Sequence, residues 1–131
     1  MRKSILYAAS ALMALAGQPA FAKDVTLRLT AKEVSLPIDN KGTMQASWTY
    51  EGQVPGPVLR VTEGDTVTLV LTNDAGNKNS HSIDLHAARV DVVKDFEAIK
   101  PGETKTFSFV ATHPGAFYYH CGADPMYQHI A

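Results

Sequence analysis

Between residues 24 and 110, apolar and polar positions repeatedly alternate with a period of two, the period of a strand whose faces meet different surroundings. Val25, Leu27 and Leu29 alternate with Thr26, Arg28 and Thr30. Val67, Leu69 and Leu71 oppose Thr66, Thr68 and Thr72, and Phe107 and Phe109 alternate with Thr106 and Ser108. Each run predicts a half-buried strand. Another is expected around Met44 to Tyr50, where Trp48 and Tyr50 share a face and read as core aromatics. Shorter strands are expected over His81–His86 and Ala116–Cys121. Turn residues separate these runs at Leu36–Gly42, Gly52–Pro57, Glu63–Asp65, Asn73–Asn79, Lys100–Glu103 and His113–Gly115. Residues 87–98 read either as a helical turn or as a loop. With no long amphipathic helix from Lys23 onward, the pattern predicts an all-β antiparallel sandwich or barrel.

The N-terminus departs from this pattern. Met1-Arg2-Lys3, an apolar run from Ile5 to Ala16, and Ala20-Phe21-Ala22 are in order the basic region, apolar region and small-x-small cleavage site of a secretory signal peptide. Residues 1–22 are thus expected to be a leader and residues 23–131 one domain, exported and without a membrane span once the leader is removed. The chain of 131 residues carries a formal charge of −1, which becomes −3 without Arg2 and Lys3. Nothing in this balance points to nucleic acid.

Export changes the meaning of the single cysteine. Cys121 has no internal disulfide partner, and a lone thiol in an oxidising compartment calls for an explanation. By itself it reads most simply as a small buried hydrophobe. It follows His120 directly, however, and His129 lies eight positions on, across a loop containing Gly122 and Pro125. A thiolate and imidazoles select a thiophilic transition metal.

Strand parity divides the candidates between two faces, because successive side chains point to opposite sides. His81 falls with Ile83 and Leu85, and Cys121 with Phe117 and Tyr119. Ser82, Asp84 and His86 fall on the other face, as do Tyr118 and His120. Two sites follow. His81, Cys121 and His129 would form an apolar site of two imidazoles and one thiolate, suited to copper used for electron transfer. His86 and His120, with Asp84 nearby, would form a more exposed site that two histidines alone do not fill. From parity alone, His86 and His120 read equally as partly exposed strand histidines. His113 has no partner by parity and reads as a surface residue.

The segments "HSIDLHAA" and "FYYHCGADPMYQHIA", together with "WTYEGQVPGPVLRVTEGDTV", resemble the first cupredoxin domain of copper-containing nitrite reductases, members of the multicopper oxidase superfamily. The resemblance covers most of Met44 to Ala131 and implies a Greek-key β-sandwich or barrel of the cupredoxin type. It implies that His81, Cys121 and His129 bind type 1 copper, and that His86 and His120 bind the type 2 copper where nitrite is reduced to nitric oxide. It further implies that Asp84 steers protons to the substrate and that His120-Cys121 links the two metals. The partners implied are nitrite, a periplasmic electron donor (a small blue copper protein or a cytochrome c), and two further copies in a homotrimer. In that family the axial methionine follows the last histidine, and a third type 2 histidine comes from a second cupredoxin domain. Neither is present here, so the chain is expected to be an N-terminal fragment without its last strand and inactive alone. Met126 precedes His129 and is expected to cover the site rather than ligate.

Two other functions compete. A single-domain blue copper electron carrier needs only His81, Cys121, His129 and an axial ligand, and has no use for Asp84, His86 and His120 aligned on one face. A periplasmic copper-delivery module needs exposed, exchangeable ligands, which an apolar thiolate site does not offer.

Overall fold

A computed structural model describes residues 22–123. Residues 1–21, where most of the expected leader falls, and Met126 and His129 with the rest of 124–131, lie outside the described residues. Six strands and one short helix follow in order: β1 (Asp24–Pro37), β2 (Met44–Tyr50), β3 (Thr66–Asn73), β4 (Asp84–Leu85), α1 (Val92–Asp95), β5 (Thr104–Val110) and β6 (Tyr119–His120). The main sheet has the order β2-β1-β3-β5, and β4 pairs with β6 in a second, two-stranded sheet.

The four long strands cover the runs expected, but β1 continues through Leu36 and Pro37 into the expected turn, and the main sheet is mixed rather than antiparallel. Strand β1 is shared lengthwise. Its C-terminal half, from Ala31 to Pro37, pairs antiparallel with β2, while its N-terminal half, from Asp24 to Ala31, pairs parallel with β3. The connection through β2 and the Gly- and Pro-rich segment after it returns the chain in the direction of β1. Strand β5 then runs antiparallel to β3.

One face of this sheet makes the core. Leu29, Ala31, Val67, Leu69, Leu71, Phe107 and Phe109 are buried, and Ile83, Leu85, Ile99, Cys121 and Ala123 pack over them. A side chain such as Leu69 contributes about 1.5–3 kcal/mol by leaving water, so these rows hold the sheet to its cover.

Both rows end in a polar residue on the apolar face. On β1 the sequence Leu27, Leu29, Ala31 is followed at the same parity by Glu33. On β3, Val67, Leu69 and Leu71 are followed by Asn73, which is fully buried. Asn73 Nδ2 donates to the carbonyls of Asn79 (3.0 Å) and Ile99 (2.9 Å), and its Oδ1 accepts from Asn77 Nδ2 at 2.7 Å. Ile99 in turn exchanges backbone hydrogen bonds with His81 (3.0 and 2.8 Å). Asn73 therefore ties the end of the sheet to the segment that carries His81.

The two short strands expected around the histidines are shorter still. Only Asp84–Leu85 and Tyr119–His120 pair, and Phe117 and Tyr118 are exposed, so Phe117 does not join Cys121 on the core face. These segments are held by docking onto the main sheet and by local contacts instead of a long ladder. Residues 87–98 contain a single helical turn, α1, capped by Asp91, whose carboxylate accepts from the N–H groups of Val93 (3.1 Å) and Lys94 (3.4 Å). No helix among the described residues is long and apolar enough to cross a membrane.

Candidate metal centre

His81 and Cys121 meet inside the protein. Both are buried, at 1% and 5% exposure, and Cys121 Sγ lies 3.9 Å from His81 Nδ1. Trp48 closes one side, with its ring edge-on to that of His81 at a centroid distance of 4.7 Å. Tyr50, on the same strand face, sends its hydroxyl to the Ser82 carbonyl at 2.6 Å. Burial raises the Cys121 thiol's pKa, but the adjoining His81 ring, the Ser82 and Ala123 N–H groups and the Ser82 hydroxyl together outweigh it. The net effect holds the thiol below its ordinary value and favours the thiolate.

Ser82 departs from its expected place. Parity put it on the polar face, yet it is buried beside the sulfur. Its N–H donates to Cys121 Sγ at 3.4 Å, and its hydroxyl accepts from the Gly122 N–H at 2.9 Å. Strand pairing begins only at Asp84, so the alternation of a regular strand does not govern Ser82.

The other face gathers Asp84, His86 and His120, whose ligand atoms all lie within 4.8 Å of one another. Their positions follow from the β4–β6 pairing, which sets Asp84 opposite His120, and from the His86 N–H, which donates to the Tyr118 carbonyl at 3.1 Å. His86 Nε2 and His120 Nε2 are 3.1 Å apart. The Asp84 carboxylate approaches them at 4.0 and 3.9 Å, and all three side chains are between a third and a half exposed. His120 Nδ1 lies 3.2 Å from the Cys121 carbonyl, which can accept only from a protonated nitrogen. Nε2 of neutral His120 therefore carries the lone pair that faces His86.

Both sets have the spacing that a shared ion requires. With metal–sulfur and metal–nitrogen bonds of about 2.3 and 2.0 Å at a trigonal angle, a thiolate and an imidazole donor sit about 3.7 Å apart, and Sγ and Nδ1 are separated by 3.9 Å. Two imidazole nitrogens on one ion at about 2.0 Å each subtend roughly 100° when 3.1 Å apart. The donor chemistry differs as well, with sulfur in an apolar shell on one side and nitrogen with a carboxylate near water on the other. Copper suits the first set, and imidazole with open positions suits copper in the second.

His113 is exposed, with Nδ1 2.8 Å from the Thr112 hydroxyl. Glu33 was not among the residues singled out in the sequence, yet its Oε1 lies 3.2 Å from His81 Nε2. A charge placed on the apolar row of β1 is the signal that marks it.

A cupredoxin-type sandwich with these donor sets defines a class of copper protein, and the multicopper oxidase family model matches residues 32–129. The chain belongs to the multicopper oxidase family. Within it, the similarity runs to copper-containing nitrite reductases. That of Neisseria meningitidis serogroup A is 38% identical over 110 residues, 82% of this chain and 28% of that protein. The structure of a copper nitrite reductase from Nitrosomonas europaea matches with a TM-score of 0.75 at 59% identity, over 79% of this chain and 36% of that one. A Cu-containing nitrite reductase from Thermus scotoductus matches with a TM-score of 0.69 at 35% identity, over 76% of this chain and 23% of that one. The chain thus spans between about a quarter and just over a third of the length of these relatives.

Proposed function

We propose that this chain is the first cupredoxin part of a periplasmic copper nitrite reductase, holding two coppers of different character. His81 and Cys121, with His129, would hold type 1 copper. His86 and His120 would hold type 2 copper, together with a histidine supplied from outside the chain in a homotrimer. Bound copper supplies one-electron redox chemistry. The reaction consumes one nitrite, one electron and two protons and yields nitric oxide and water; the electron comes from a periplasmic donor such as a small blue copper protein or a cytochrome c.

The chain's own residues divide the work. The apolar pocket of His81, Cys121, Trp48 and Tyr50 keeps water from the thiolate. His120 and Cys121, adjacent in the chain, join the two donor sets covalently. Asp84, close to both exposed imidazoles, is placed to hand a proton to a substrate oxygen. The single observation that carries this reading is the back-to-back arrangement itself. A blue copper carrier has no use for a carboxylate and two imidazoles converging behind its thiolate.

Copper quantitation and visible spectroscopy of the full-length protein test it. Two coppers per chain and an intense visible thiolate band are expected, the band being lost in Cys121→Ser. One copper per chain with no nitrite reduction would favour the carrier, and a coloured Cys121→Ser variant would remove Cys121 from the ligand set.

A further inference from the structure

Glu33 reaches across the end of the sheet to the outer nitrogen of His81. It stands opposite Trp48 in the β1–β2 register, so the residue that flanks the His81 ring and the residue that holds its far side come from one strand pair. Glu33 Oε1 takes the backbone N–H groups of Lys78 (3.1 Å) and Asn79 (2.8 Å) and the Asn79 side-chain amide (3.0 Å), besides facing His81 Nε2 at 3.2 Å. The carboxylate has no proton to give in this setting, so the His81 nitrogen must be the donor. Protonation of Nε2 leaves the lone pair of the neutral ring on Nδ1, the atom 3.9 Å from Cys121 Sγ.

We infer that Glu33 is the positioning residue of the thiolate copper site: it fixes the tautomer and orientation of His81 so that Nδ1 faces the ion, and its charge raises the donor strength of that ring. The inference rests on the proposed role of His81 and Cys121. Its first consequence, however, needs no metal. A carboxylate on the far nitrogen of a ligating histidine orients the ring and strengthens the ligand, and removing such a partner typically costs roughly 10- to 100-fold in metal affinity.

Because the same oxygen also anchors the 78–79 loop, the test must separate positioning from folding. Glu33→Gln keeps an oxygen that accepts the same hydrogen bonds and removes only the charge, whereas Glu33→Ala removes both. In the metal-free full-length protein, ¹⁵N-histidine NMR should find His81 in the Nε2-protonated form in wild type and in Glu33→Gln, and as a tautomer mixture in Glu33→Ala. After copper loading, Glu33→Gln should retain the visible band but show a higher reduction potential, because a negative charge no longer favours the oxidised ion. Glu33→Ala should shift the band and bind copper roughly 10- to 100-fold more weakly. If Glu33→Ala does not fold, Glu33→Gln decides alone, and a wild-type potential in that variant overturns the inference. It is also overturned if a folded Glu33→Ala keeps wild-type tautomer, spectrum and affinity. A colourless copper-loaded wild type whose His81 is nonetheless Nε2-protonated would defeat the copper-site reading, leaving Glu33 as an orienting group with no metal to serve.

Discussion

Cys121 and His120 are neighbours in the chain and occupy different sites. The sulfur is buried 3.9 Å from His81 Nδ1, while the His120 ring emerges on the other side and brings Nε2 to 3.1 Å from His86 Nε2. The division follows from the extended backbone at β6, which sends consecutive side chains to opposite faces. Under the proposed function, His120→Ala should therefore remove a ligand from the exposed site alone. The full-length variant is expected to bind less copper per chain, keep its visible band, accept an electron at the coloured site and lose nitrite reduction. Loss of colour on copper loading would show that the two sites are not separate.

Asp84 offers a different separation, between holding metal and handling protons. Its oxygens stand 4.0 and 3.9 Å from the two imidazole nitrogens, beyond hydrogen-bond reach of either ring but close to anything bound between them. Asp84→Asn keeps the shape and removes the proton-carrying group. Copper content and spectrum should be unchanged while turnover falls on the order of 10²-fold or more, the usual contribution of a positioned acid or base. A variant with wild-type kcat would take the proton role away from Asp84.

The long strands were legible because their two faces meet different media, which writes a period of two into Val25–Leu29, Val67–Leu71 and Phe107–Phe109. Parity also separated His81 and Cys121 from Asp84, His86 and His120, since it needs only local extension. It failed at Ser82, where the chain is bridged and docked without forming a regular strand, and at Phe117, which lies before the short β6 pairing. The parallel pairing of β1 with β3 had no local signal, because nothing in either strand specifies which neighbour each half of β1 will take. Glu33 and Asn73 were visible in principle as polar residues closing apolar rows. Their partners, though, lie in a loop brought to them only by the fold.

Tyr50 should matter to stability as well as to the walls of the site. Its ring is buried against Tyr119 at a centroid distance of 5.3 Å, and its hydroxyl donates to the Ser82 carbonyl at 2.6 Å. Burial and nearby negative groups push that hydroxyl far above its ordinary pKa, so it remains a donor throughout the accessible pH range. Tyr50→Phe leaves the buried carbonyl without this donor, at a cost of about 1–3 kcal/mol. Calorimetry of the metal-free protein should show the loss as a Tm lower by several degrees. An unchanged Tm would mean that the carbonyl finds another partner.

Asp65 makes the fold itself sensitive to acid, at a distance from both donor sets. Its carboxylate accepts from the Thr62 N–H at 2.8 Å and the Lys23 N–H at 3.0 Å, tying the start of the domain to the turn before β3. The Thr62 hydrogen bond, followed by that from Lys23, holds its pKa below the ordinary 3.8. Ionised Asp65 is thus favoured in the folded state. Its stabilising contribution is fully present above pH 3.8 and disappears as pH falls from there through the depressed folded value. Asp65→Asn cannot titrate and lacks one strong acceptor oxygen. Denaturation midpoints of the two metal-free proteins should differ by a constant amount from neutral pH down to the ordinary carboxylate range, wild type being the more stable, and converge below it. If the gap persists into strong acid, the contribution of Asp65 comes from shape rather than charge.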